Sequence, residues 1–360
     1  MVKPDSSVLS TQPGFPAPRE PAGGSDLVRK VAAVLEIAGV LVAGNVIAFK
    51  LIPLLGIKPI GPAFESALSA AKPDFVSLST LFFLTKAVQY GCLLMLAFAV
   101  GWWRRRLGPR HYGVTTAGQP VRNLVVTGIV AFALVAFPVK ILWLARRFLP
   151  LGEGSPFWAL LEKDWTWSFW LIMAVASFAF QPVIEELLFR GYCQTRLEED
   201  FGGIGAVFVG ALFFVLGHDQ YHHLSVMSLG TIITLTLSAL GLGFVYWRTR
   251  SLVPGVIFHA ALNVPTKGIY DFLLPAAMLA VVVCFRQAWL NWLADFGQQA
   301  ATKGWRTAAV LGTVLLSGMM FGFERWQNVF APVALLGLVA ALVLEFPTRR
   351  VAMASRPNET

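Results

Sequence analysis

Gln181-Pro-Val-Ile-Glu-Glu-Leu-Leu-Phe-Arg-Gly191 closes a strongly apolar run that begins near Ser168 and reads Phe-Trp-Leu-Ile-Met-Ala-Val-Ala-Ser-Phe-Ala-Phe. Two adjacent carboxylates, Glu185 and Glu186, and a cation, Arg190, therefore stand at the end of a segment apolar enough to enter a bilayer. An ionisable group at membrane depth is costly and marks a functional site by default. The rest of the chain reads as the scaffold that holds this segment and supplies its partners.

Composition supports that reading. Of 360 residues 56% are hydrophobic and only 14% charged, against roughly 25% charged in soluble domains. Mean hydropathy is +0.65. The net charge of +9 would suggest nucleic acid in a soluble protein. Here the cations cluster beside apolar runs, the pattern that orients a membrane protein, so nucleic-acid binding is discounted. The three cysteines, Cys92, Cys193 and Cys284, form no disulfide framework and no paired metal spacing. They read as small buried hydrophobes.

Residues 1–28 are rich in Pro, Ser and Gly without an apolar core, and read as a disordered tail. Spans are expected at about Val31–Leu55, Val76–Trp103 and Val121–Ala145, then at the stretch quoted above. Others follow from about Ile204, over Leu224–Trp247 and over Leu252–Val264. Further apolar runs lie at about Ile269–Phe285, Thr307–Phe323 and Val329–Leu344. A helical crossing takes roughly 20 residues. The expectation is an all-α, polytopic integral membrane protein of about eight to ten transmembrane helices. Residues 29–167 form accessory helices and loops, 168–285 the core, 286–345 C-terminal helices and 346–360 a tail. The loops at about 56–75 and 148–167 are the candidates for small extramembrane structure. Basic residues at Arg29/Lys30, Arg104–Arg110, Arg190/Arg196, Arg248/Arg250, Arg286 and Arg349/Arg350 would share one side. That side is expected to be cytoplasmic, with both termini; Arg146 and Arg147 break the pattern. Trp102, Trp103 and Trp247, near span ends, fit an interfacial aromatic belt.

Other polar groups interrupt the apolar segments. His218 ends Phe213-Phe-Val-Leu-Gly-His, and Val256-Ile-Phe-His-Ala-Ala-Leu-Asn carries His259 and Asn263. On a helix, i and i+4 share a face, which pairs His259 with Asn263, Phe214 with His218 and Glu186 with Arg190. Glu185 is rotated about 100° from Glu186 and can face another partner. If the chain turns back at Gly202-Gly203, Glu185, 17 positions before Gly202, and His218, 15 after Gly203, reach similar depth. That meeting requires the helix to continue past Arg190 through Arg196, with Gly191 as the weak point. Pro182 could kink the segment beside the carboxylates. Each group also has a plain structural reading. A lone intramembrane His or Asn often serves as an interhelical hydrogen-bond partner, and Glu186 with Arg190 reads as a structural ion pair. Glu36, Asn45 and Lys50 read as snorkelling or tertiary contacts. Asp219, His222 and His223 read as a solvated loop. A Glu, two His and an Asn together at membrane depth are hard to explain as packing alone.

Glu185-Glu186-Leu-Leu-Phe-Arg190, Phe214-Val-Leu-Gly-His218 and His259-Ala-Ala-Leu-Asn263 together resemble the CPBP family of intramembrane endopeptidases, also called the CAAX protease, bacteriocin-processing or Abi family. Its pattern is E-E-x-x-x-R, then F-x-x-x-H, then H-x-x-x-N, and all three parts occur here in order. The resemblance covers about residues 168–285. It implies a helical core like that of type II CAAX prenyl endopeptidases, with a water-filled pocket. It further implies Glu185 as the base that activates a water, His218 helping to bind that water, and His259 with Asn263 stabilising the oxyanion. Glu186 and Arg190 would hold the site in shape. The family is described as glutamate-dependent, so no cofactor is expected.

Amide hydrolysis needs a positioned base and donors aimed at the developing oxyanion, and these residue types supply both. Glu185, His218 and His259 are also a zinc-type ligand set, although the helical H-E-x-x-H motif is absent. Expected partners are a membrane-associated protein or peptide substrate and the lipid bilayer, in a bacterial inner (plasma) membrane. Candidate substrates are prenylated CAAX tails, bacteriocin or pheromone precursors and C-terminal sorting tails. Two competing readings use the same residues. One is a non-proteolytic scaffold or bacteriocin-immunity protein, which has no need for both His and the first Glu. The other is a proton-coupled transporter, which lacks the inverted repeats such proteins carry.

Overall fold

The computed structural model describes residues 26–70, 74–105, 109–145, 148–150, 180–218, 226–264, 266 and 268–302. Among them there are helices and no strand, the arrangement that lets a chain in lipid satisfy its own backbone. The first four helices are α1 (Asp26–Leu54), α2 (Ile60–Ser69), α3 (Phe75–Arg105) and α4 (Val121–Ala145). Next come α5 (Gln181–Glu186), a π-helical stretch (Leu187–Gln194) and α6 (Thr195–Leu216). Then follow α7 (Val226–Thr249), α8 (Val253–Leu262), α9 (Tyr270–Cys284) and α10 (Arg286–Thr302). The chain is an all-α polytopic membrane protein.

Among the described residues three helices are long and apolar enough to cross a bilayer, over Val28–Leu54, Phe75–Arg104 and Val121–Ala145. The third has the bounds expected from its hydropathy. α9 and α10 meet at a bend of 78° and make a fourth crossing if the pair is one span. α8 is apolar but only 10 residues long, so it depends on neighbours to cover it. α2 lies within the loop expected at 56–75. α10 falls in the part, 286–345, expected to hold C-terminal helices, although no apolar run was named over it, since Gln, Asn and Asp interrupt its apolar residues. The expected spans at 307–323 and 329–344, the apolar run before Phe180, Arg146/Arg147 and the loop with Asp219, His222 and His223 lie outside the described residues.

Many large apolar side chains on these helices face outward. Phe49 and Leu54 are each 81% exposed and Met95 is 66% exposed, as lipid-facing positions of a membrane protein would be. Cys284 belongs to this outward face. It is exposed, whereas Cys92 and Cys193 are buried as expected. Its helix carries other outward apolar residues, among them Leu273, Leu279 and Val283, so the cysteine extends an apolar surface.

Two interior clusters flank the quoted stretch. One joins Ala33, Ile37 and Val40 of α1 with Leu93 and Ala97 of α3, and with Leu188, Cys193, Leu197 and Val209. The other joins Phe132 and Ala136 of α4 with Leu242 and Val245 of α7, Phe258 of α8 and Met278 of α9. A smaller group, Ile204, Val207 and Phe244, is covered by Trp292 and Phe296 of α10. At the start of α3, Asp74 accepts from Ser77 through the backbone N–H (3.1 Å) and the hydroxyl (2.6 Å), satisfying donors that a helix start leaves unpaired.

Candidate active site

The carboxylates stand at the junction of α5 with the π-helical stretch. Pro182 falls in the first turn of α5, where its missing N–H costs nothing and its fixed φ suits a helix start. From Leu187 the backbone widens to π turns that carry Arg190, a local distortion often found at functional sites. Gly191 does not interrupt the run, which continues through Arg196 to Gly202. There φ is +70°, a value that glycine adopts freely and other residues resist. The helix beyond it packs back along the π stretch, Phe189 and Phe214 meeting edge to face at 5.1 Å. The expected hairpin is thus present, and its second arm delivers Phe214 and His218.

Glu185 and Glu186 face different surroundings. Glu186 is fully buried, and its Oε1 accepts from Arg190 Nη1 at 3.0 Å. Arg190 also donates through Nη2 to Ala239 O at 3.2 Å and lies over the Phe214 ring, 4.4 Å from its centroid. Burying two charges costs several kcal/mol per ion unless the remaining donors and acceptors find partners. The carbonyl and the ring supply partners for the guanidinium. Arg190 therefore joins its own helix to α6 and α7.

His259 bridges the two glutamates. Its Nδ1 is 2.9 Å from Glu186 Oε1, and its Nε2 is 3.6 Å from Glu185 Oε2. A carboxylate that already accepts from Arg190 is an acceptor, so Nδ1–H is the donor and Nε2 is the atom turned toward Glu185. His218 is anchored in the same manner. Its Nδ1 is 2.7 Å from Phe214 O, and a carbonyl can only accept, which leaves Nε2 as the acceptor of a neutral ring. His218 lies within electrostatic reach of Glu185 and His259. Phe214 separates and aligns the group, its ring 4.6 Å from that of His218 and 5.8 Å from that of His259.

Asn263 caps α8, and its backbone N–H bonds to His259 O at 3.1 Å. Its side chain makes no hydrogen bond to a described residue, so the structure holds it one turn from His259 but outside the bonded cluster. Lys140 of α4 fastens this helix end, donating to Leu262 O (3.1 Å) and Val264 O (2.7 Å).

Several neighbours were not legible in the chain. Tyr90 of α3 and Gln181 both donate to Glu185 Oε1, Gln181 Nε2 at 2.6 Å. Glu185 Oε2 is buried and has no hydrogen-bond partner among the described residues. Gln181 stands at i−4 from Glu185, a spacing that could have flagged it. Tyr90 had no such signal, because it arrives from a helix 95 positions away. Glu36 of α1 is a tertiary contact, one of the two readings its position allowed. Its carboxylate accepts from Tyr192 Oη (3.0 Å), from Arg196 Nε (3.0 Å) and from Arg104. Arg196 is also paired with Glu199 (3.2 Å) and Asp200 (2.6 Å). These bonds tie α1 and α3 to the segment that carries the glutamates.

Among the described residues no three His, Cys, Asp or Glu side chains converge in a way suited to a metal ion. Glu185, His218 and His259 approach one another; each ring donates Nδ1–H to a protein acceptor and keeps Nε2 free, and Glu185 Oε1 is taken by two donors.

An all-helical membrane protein that buries two adjacent glutamates against a bridging histidine, with a second histidine in reach, has the makings of an intramembrane hydrolase. Residues 166–265 match the family model described as Type II CAAX prenyl endopeptidase Rce1-like, which supports the resemblance to the CPBP/CAAX protease family read from the motifs. Comparisons with curated proteins and with solved structures give no significant match. The matched family is one of proteases, and the chain is an integral membrane protein.

Proposed function

We propose that this protein is an intramembrane endopeptidase that hydrolyses a peptide bond in a membrane-associated protein or peptide through a water activated by Glu185. The observation that carries the reading is the unequal treatment of the two glutamates. Each glutamate has one buried oxygen without a hydrogen bond among the described residues. That of Glu186, whose other oxygen is held by Arg190 and His259, is closed in against Gly255, while that of Glu185 lies 3.6 Å from His259 Nε2. A base must be held rigidly and still have an oxygen to spend on the proton.

In this scheme a water gives a proton to Glu185 Oε2 as its oxygen bonds to the scissile carbonyl carbon. The carbonyl π electrons move onto oxygen. His218 Nε2 accepts a hydrogen bond from the water's other O–H, which stays on the attacking oxygen. The protonated His259 ring, and Asn263 once the substrate draws its amide inward, donate to the oxyanion. When the tetrahedral species collapses, the C–N bond breaks and the proton held by Glu185 passes to the amine. The products are a carboxylic acid and an amine, and no metal or cofactor is consumed. Substrates of this class would present a C-terminal CAAX-like tail or a precursor peptide. The basic clusters support cytoplasmic termini; the membrane of this proposal is a bacterial plasma membrane.

The test uses purified full-length protein in liposomes and an internally quenched peptide with a farnesylated CAAX tail, beside unprenylated precursor peptides. Glu185→Gln and His259→Ala should each lower cleavage about 10²–10⁴-fold while the protein stays folded by circular dichroism and gel filtration. Full activity in Glu185→Gln would sink the proposal.

A further inference from the structure

The family-matched stretch begins at residue 166, yet one of the two hydrogen-bond donors to Glu185 comes from outside it. Tyr90 sits in the middle of α3, 6% exposed, and its hydroxyl donates to Glu185 Oε1. Gln181 Nε2 donates to that same oxygen. Two donors on one carboxylate oxygen fill its in-plane acceptor directions. They hold the plane of the carboxylate and leave Oε2 as the oxygen able to take a proton. The tyrosine is itself held. Lys86, one turn earlier on α3, lies over its ring at 5.5 Å from the centroid. Phe83 meets Phe180 at 5.3 Å, which keeps α3 against the start of α5.

We propose that Tyr90 is a positioning residue of the reaction: with Gln181 it occupies Glu185 Oε1 and so assigns the basic role to Oε2. The inference rests on Glu185 acting as the base. It also gives α3 a role, because the helix then supplies part of the site.

Tyr90→Phe removes one hydroxyl and keeps the ring that packs. Two readouts apply to the full chain in liposomes. The first is the infrared carboxylate band of Glu185, recognised by its disappearance in Glu185→Gln. The second is cleavage of the farnesylated CAAX peptide. Expected results are a shifted Glu185 band and a kcat about 10–100-fold lower with KM unchanged, the cost of misplacing a reacting group. Gln181→Leu removes the other donor and should act in the same direction, so the test survives if Tyr90→Phe is poorly folded. Tyr90→Thr should not restore the rate, since its hydroxyl falls short of Glu185. An unmoved band, or a rise in KM with kcat intact, would overturn the proposal and make Tyr90 a packing residue. If Glu185→Gln retains cleavage, it is the base assignment that fails, and the band still reports whether Tyr90 holds the carboxylate. If wild type leaves the peptide uncut, the band alone decides.

Discussion

A β-carbon on Gly255 would stand 2.9 Å from Glu186 Oε2. Gly255 is on α8, one turn before His259, so this close approach is what lets α8 bring the histidine down between the glutamates. Glu186 cannot swing aside, because its other oxygen is bonded to both Arg190 and His259. Gly255→Ala should push α8 outward and lengthen the His259–Glu186 bond. The expected outcome is a loss of about 10²-fold in kcat/KM, as for displacement of a catalytic group by roughly 1 Å. Steady-state cleavage checks it, and unaltered activity would show that α8 can shift without disturbing His259.

Glu36 offers a test of the scaffold. Its one carboxylate serves Arg104, Arg196 and Tyr192 from three parts of the chain. Removing the partner of a buried cation costs about 3–5 kcal/mol. Glu36→Ala should therefore lower the thermal midpoint clearly in detergent, followed by tryptophan fluorescence or calorimetry. A midpoint equal to wild type would mean that α1 is not anchored through this carboxylate.

The turn at Gly202 can be probed without steric interference. A β-carbon there meets nothing within 4 Å, and φ is +70°, so any cost of substitution comes from the backbone. Gly202→Ala should destabilise by about 1–3 kcal/mol. Gly202→Asn should cost about as much, since ψ of 172° lies outside the left-handed helical region that Asn tolerates. A clearly smaller loss for Asn would show that the turn can relax into that region.

Metal independence is tested by removal. Purified protein dialysed against a strong chelator should retain its cleavage rate, and elemental analysis should find no stoichiometric zinc. Loss of activity restored by zinc would instead favour Glu185, His218 and His259 as ligands of a catalytic ion.

Much of this architecture could be read along the chain. Apolar length located α1, α3 and α4, and for α4 reproduced its bounds, because burying twenty apolar residues in lipid leaves few other solutions. The i, i+4 spacing paired Glu186 with Arg190, and similar distances from Gly202-Gly203 set Glu185 and His218 at similar depth. These are local consequences of helix geometry, computable from one helix at a time. The family signature over residues 166–265 is local in the same sense.

Contacts across helices were beyond that reach. Nothing in the neighbourhood of Tyr90 or Glu36 says which helix each will face, since that depends on how separately formed helices pack. The polar residues of α10 interrupt any apolar run, so nothing in its sequence shows that its Phe296 packs on Phe244 and Phe208. The sequence by itself determined an all-helical membrane protein with its charges gathered at Glu185, Glu186 and Arg190, because helical periodicity and the cost of burying charge act residue by residue. Only the tertiary structure decided that His259 bonds to Glu186 and turns Nε2 toward Glu185, and that Tyr90 reaches Glu185 Oε1, because those contacts are made by side chains brought in from α8 and α3.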